Sequence, residues 1–233
     1  ASTWLHEAFP GGKPQPNPTW HTMLRQRLLL PSPGVDTVLA GACARRRGDG
    51  TACGGSLDDD EGHEYACPVG GLQDARHTRA RRWAAQRIKE TWGCRVKEEK
   101  AVDVPLVRTA GRMDIVVTRF GQKLLIDVVV ATVVTDQARE RARRAKEPGR
   151  ALRTAEARKM TRYGPTVLAL AVADTGRLGS GTRRLLRDLA AEQDVSATSD
   201  EYRCLVAELQ HVVLSATATM LQVSRGAVPT LPI

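Results

Sequence analysis

The chain has 233 residues, 42% hydrophobic and only 4% aromatic, with 35 Lys and Arg against 26 Asp and Glu, for a formal net charge of +9. That length suffices for one well-packed domain with appendages or for two small ones, and the positive excess favours polyanionic partners, DNA or RNA, over acidic or neutral ones. No run approaches the ~18 apolar residues of a membrane span, and no charged leader with an apolar segment opens the chain, so an intracellular protein without a membrane partner is expected.

Residues 1–42 read as a Pro- and Gly-rich extension, with one apolar basic stretch, Met23 to Leu30, forming a short helix between prolines. A turn-rich, polar segment follows from residue 43 to 71. Ala80, Ala84, Ile88 and Trp92 then recur every fourth position, which predicts a helix from Leu72 to Trp92 ended by Gly93. Three strands come next: Arg95 towards Val107, Met113 to Thr118, and Lys123 to Ala131. The last two are joined by a turn at Phe120-Gly121-Gln122. A basic helical region from Asp136 to Tyr163 is broken at Pro148-Gly149 and stopped by Gly164-Pro165. Thr166 to Ala173 reads as a buried strand, and helices over Gly181–Gln193 and Asp200–Ser224 finish the chain. The order predicts an α/β core over residues 72–178, a mixed sheet with helices on its faces, and a C-terminal helical extension over 179–233.

Asp114 heads the second strand and Asp127 sits inside the third, thirteen positions later, among Leu124, Leu125, Ile126, Val128, Val129 and Val130. A carboxylate in so apolar a strand is costly to bury unless it is paired or bound to a cation. Alternation places Asp127 on one face with Leu125 and Val129. If Asp114 faces it across the hairpin, the two carboxylates hold Mg²⁺, with the backbone carbonyl of Val128 as a natural further ligand. Such an ion polarises a phosphate and activates water, the chemistry of phosphodiester cleavage. Spacing alone leaves another reading open, in which Asp114 caps a strand and Asp127 pairs with an arginine.

Cys43, Cys53, His63 and Cys67 have the ligand types of a structural Zn²⁺ site, closed by a His-x3-Cys clasp, with His77 as an alternative ligand. The competing reading is unligated thiols and a surface histidine. Five cysteines, unevenly placed, argue against a disulfide framework. Cys94 and Cys204, next to apolar residues, read as core thiols. Between Arg139 and Arg162 there are ten Lys or Arg and three acids, and the first helix is also rich in arginine. The candidate phosphate contacts are Arg76, Arg79, Arg82, Arg112, Arg143, Arg144, Lys146, Arg158 and Arg162.

Arg112-Met113-Asp114, twelve residues, then Asp127-Val128-Val129 resembles the PD-(D/E)xK nuclease core, the restriction-endonuclease-like fold, whose α-β-β-β-α-β order matches residues 72–173. Met113 stands where that family usually has proline, and Val129 where its lysine stands. One branch carries the lysine on the following helix: the restriction-like endonuclease domain at the C-terminus of site-specific non-LTR retrotransposon reverse transcriptase proteins. Glu156-Ala157-Arg158-Lys159-Met160-Thr161-Arg162-Tyr163 resembles that branch. So does the Cys/His knuckle at residues 43–71, with Arg76 and His77 opening the nuclease helix.

The resemblance implies Asp114 and Asp127 as Mg²⁺ ligands, Lys159 as catalytic lysine with Lys146 a weaker candidate, and Glu98 or Glu99 as a further metal-proximal carboxylate. It also implies cleavage of a DNA strand to leave a 3′-hydroxyl, the reverse-transcriptase part of a polyprotein as partner, and a nuclear location. The alternative expectation is a catalytically inactive, domesticated RNA-binding or structural subunit of a ribonucleoprotein complex such as a ribosome, in an organelle or the cytosol.

Overall fold

The computed structural model describes residues 22–23, 41–57, 62–102, 111–133, 143, 146–147, 149–193 and 198–226. Within them lie five helices of a turn or more and a four-stranded mixed sheet. The elements run α1 (His63–Ala66), α2 (Leu72–Trp92), β1 (Arg95–Val102), β2 (Gly111–Arg119), β3 (Gln122–Ala131), α3 (Arg150–Tyr163), β4 (Val167–Ala173), α4 (Ser180–Gln193) and α5 (Thr198–Ser224). The sheet order is β1-β2-β3-β4. The first three strands form an antiparallel meander, and β4 lies parallel to β3 after the α3 crossover. A parallel neighbour needs such a crossover, because a short turn only reverses the chain. Of the short helix expected from Met23 to Leu30, only Met23 falls among the described residues, and it is helical.

Helix α2 ends where Gly93 adopts φ 58 and returns its N–H to the Lys89 carbonyl, a left-handed cap that costs other residues more. The β2–β3 turn is tight, with Arg119 opposite Gln122 and positive φ at both Phe120 (49) and Gly121 (77). Two positive φ values match the twist of the flanking strands, though a phenylalanine there is uncommon. The register that this turn sets pairs Ile115 with Ile126, the last pair before the two aspartates.

The sheet has two differently covered faces. On one, Ile115, Val117, Ile126, Val128, Leu170 and Val172 pack against Ala80, Ala84 and Ile88 of α2, Leu185, Leu186 and Leu189 of α4, and Leu205, Leu209 and Val213 of α5. On the other, α3 covers the β3–β4 half, closing Leu125 and Val167 under Tyr163 and Ala171 under Leu152. The two last helices are therefore built into the main core rather than appended to it. Helix α5 has, over Ser199–Ser224, the length and mean hydropathy, 1.4, of a membrane span, and half of its apolar window is buried inside the protein. Its Ser, Thr, Gln and His residues break up any purely apolar run without lowering the average below that of a span.

Candidate active site

Beyond the Ile115–Ile126 pair, β2 and β3 part. Val128 would otherwise offer its N–H and C=O to β2, and a buried backbone group left unpaired is costly. Asp114 takes the N–H through Oδ2 at 2.7 Å, and His77 Nε2 of α2 lies 3.1 Å from the Val128 carbonyl. The same Nε2 stands 3.2 Å from Asp114 Oδ2. Side chains have thus replaced the ladder, opening a notch between two strands. Asp127 lies in the same place on β3, 3% exposed, where its Oδ2 meets the Lys159 ammonium of α3 as an ion pair. Among the described residues no arginine pairs with either aspartate.

The charges of this group are interdependent. Burial would raise Asp114, but the hydrogen bond and charge of His77, the Val128 N–H and Lys159 outweigh it and hold the carboxyl below its ordinary value. His77 is raised, chiefly by its hydrogen bond to Asp114 and against the opposing effect of burial. Asp127 is raised, first by burial and then by the neighbouring Asp114 carboxylate, while Lys159 pulls it down. Two carboxylates that repel one another at a buried notch favour a positive charge beside them, which the Lys159 ammonium supplies at Asp127. Ligand atoms sharing an ion at about 2.1 Å in octahedral geometry stand about 3.0 Å apart. The 3.1 and 3.2 Å separations around His77 Nε2 match that edge.

Sequence reasoning placed His77 at the zinc cluster as a substitute ligand; the fold puts it in the carboxylate notch instead. The available signal was its position: three residues before Ala80 and seven before Ala84, on the α2 stripe that faces the sheet. Arg76 needs a second correction. It is 3% exposed and donates to Thr217 Oγ1 of α5 at 3.4 Å, so it braces two helices and is not placed to meet a phosphate. Glu98 and Glu99, expected as further metal-proximal carboxylates, are taken up by arginines instead: Arg81 of α2 pairs with both and Arg112 pairs with Glu99. Glu156 holds the start of α4, accepting from Ser180 Oγ and the Gly181 N–H.

Of the remaining basic candidates, Arg79, Arg82, Arg112, Arg143, Lys146, Arg158 and Arg162 are exposed, and Arg162 stacks on Tyr163 at 5.0 Å. Arg144 lies outside the described residues.

The Cys43, Cys53, His63 and Cys67 set does assemble, with all four ligand atoms within 4.8 Å of one another. Residues 42–56 form a hairpin closed by the Ala42–Ser56 and Arg46–Ala52 bridges, so the nine intervening residues bring Cys43 and Cys53 together from its two arms. Helix α1 supplies His63, and Cys67 follows it. Cys67 Sγ is 3.8 Å from Cys43 Sγ and 3.6 Å from Cys53 Sγ, while Cys53 Sγ is 3.4 Å from His63 Nε2. A tetrahedral zinc with Zn–S near 2.3 Å sets sulfurs ~3.8 Å apart, which these separations meet. None of the cysteines forms a disulfide. Burial pushes the Cys43 thiol up to about 11, and a divalent ion is what would deprotonate it. Cys94 is half-buried against the core, but Cys204 is exposed on α5, contrary to its reading as a core thiol.

The chain matches no family model, and no curated protein is similar to it.

Proposed function

We propose that this chain is a metal-dependent endonuclease of the restriction-like class, cleaving a strand of DNA, with a zinc-stabilised knuckle ahead of its nuclease core. One observation carries the reading: Asp114, Asp127, the Val128 carbonyl, His77 and Lys159 come from four elements and meet at the one place where the β2–β3 ladder opens. The element order and the two aspartates agree with the PD-(D/E)xK pattern, and Lys159, from the following helix, reaches the spot that Val129 leaves without a lysine.

Asp114, Asp127, the Val128 carbonyl and His77 would hold Mg²⁺ or Mn²⁺. Three oxygen donors suit either ion, and the imidazole favours the softer one. When bound, the ion polarises a phosphate and lowers the pKa of water. Lys159 keeps its ammonium against Asp127, where it positions the attacking water and offsets negative charge building on the phosphate oxygens. Asp127, raised by burial, is the group that gains most from a cation.

A supercoiled-plasmid nicking assay with Mg²⁺ or Mn²⁺ tests this. The wild-type chain nicks; Asp127→Ala abolishes nicking, and Lys159→Ala lowers its rate by about 10²–10³-fold, as for loss of one charge-stabilising donor. A wild-type chain that leaves DNA intact under both ions yet binds RNA tightly would transfer the site to an inactive ribonucleoprotein module.

A further inference from the structure

The stretch Arg95-Val96-Lys97-Glu98-Glu99-Lys100 holds three cations and two acids, and in sequence it reads as nearly self-neutralising. The fold sorts these charges. Val96 packs against the main core, so Glu98, two residues on, points to the same side and meets Arg81 of α2. Glu99 adopts φ 49, a left-handed kink that interrupts the pairing between Glu98–Ile115 and Lys100–Met113. Its carboxylate pairs with Arg81 and Arg112. Both acids are thereby consumed. Arg95, Lys97 and Lys100 are exposed and have no acidic partner among the described residues.

These three cations crowd one another. Arg95 and then Lys100 lower the Lys97 ammonium, although it is fully exposed. Like charges held together without counter-charge are unfavourable unless an anion visits them. Lys123 extends the patch, because it and Arg95 both lie opposite Thr118. Helix α3 covers the β3–β4 half of this sheet face, and Met113 and Val116 of β2 are buried there with Tyr163, so among the described residues the exposed cations lie along the β1 side. Lys97 pairs with Val116, and Val116 with Leu125, two residues before Asp127. Two strand spacings and two residues put the Lys97 backbone about 12 Å from that of Asp127.

We infer that Arg95, Lys97, Lys100 and Lys123 form a track for the phosphates of duplex DNA that flank the cleaved bond, along the β1 side of the sheet next to the Asp127–Lys159 notch. The assignment of DNA rests on the nuclease reading, whereas the track itself stands on the sorting of charge along β1. It adds a surface distinct from the arginines of α2 and α3.

Fluorescence anisotropy with a labelled DNA duplex, in buffer free of divalent ions, tests binding independently of cleavage. Arg95→Glu/Lys97→Glu/Lys100→Glu is expected to weaken affinity at least tenfold, and the charge-neutral Arg95→Gln/Lys97→Gln/Lys100→Gln form to flatten the log K against log salt slope by about 2.7. Lys89→Glu, on the exposed side of α2, leaves both unchanged. Wild-type affinity in the triple variants overturns the track, as does a wild-type chain that binds RNA but no DNA. Unchanged affinity with new self-association would assign these cations to protection of the open sheet edge instead. A chain that binds through the track but never nicks would sink the nuclease reading and leave the track standing.

Discussion

His77 Nε2 touches a carboxylate oxygen and a backbone carbonyl at once, so without a metal it must carry the proton that both accept. The stability linked to that proton has two edges. His77 is raised, so its contribution is complete below the unfolded value of 6.5 and is lost as pH climbs through the folded one. Asp114 is lowered, so its contribution is complete above 3.8 and is lost as pH falls through its folded value. In magnesium-free buffer the difference in Tm between wild type and His77→Gln should therefore be largest between these edges. A difference that stays flat from about pH 3 to 9 would mean that the pair does not couple to folding. With metal the imidazole must lose that proton. His77→Gln should then raise the Mn²⁺ concentration for half-maximal nicking roughly tenfold or more, while secondary structure by circular dichroism stays unchanged.

At the scale of elements, the hairpin of residues 42–56 and α1 together are too small to fold on apolar contacts. Two devices hold them. One is the Cys/His cluster; Gly55 belongs to it, since a Cβ there would sit 2.4 Å from the His63 ring. Gly55→Ala should displace that ring and lower zinc affinity, read by competition with a chromophoric chelator. The other device is Arg45, fully buried, which donates to Ser224 Oγ at 2.7 Å, the Cys67 carbonyl at 2.7 Å and the Glu64 carbonyl at 2.5 Å. One guanidinium thus ties the knuckle to the end of α5, where helix carbonyls favour a cation. Arg45→Met should cost roughly 3 kcal/mol, because it strands several buried acceptors at once. Urea unfolding measures it, and a loss below about 1 kcal/mol would rule out that bolting role.

Across the whole molecule, α5 links parts that the sequence reads as separate. It packs on α2 and α4 through Leu205, Leu209 and Val213, and its end meets the knuckle through Ser224. Arg87 reaches Glu208 from α2, with Nη2–Oε1 at 2.5 Å. Such a helix makes the core and the knuckle one cooperative unit. Leu209→Ala should cost about 2–5 kcal/mol and lower the urea midpoints of sheet and knuckle together. Two separate transitions would show that the knuckle unfolds on its own. The net charge of +9 is a property at this scale too, but its use depends on which arginines are consumed inside. Arg45, Arg76 and Arg81 are buried and belong to the interior.

Patterns carried by near neighbours were legible from the amino acids alone. The four-residue recurrence through Ala80, Ala84 and Ile88 marked α2. The alternating β2 and β3 runs with their tight turn brought Asp114 towards Asp127. The Cys and His types named the ligand set before its geometry was known. Contacts between residues far apart in the chain were decided only by tertiary packing. His77 joins Asp114 across 37 residues and Val128 across 51, and nothing in its local periodicity distinguishes a ligand from a core histidine. Arg76 and Arg79 look alike in sequence, yet a rotation along α2 buries one and exposes the other. The physical reason is that helix and strand periods fix which side of an element a residue occupies, whereas the neighbour on that side is set by how the elements fold together.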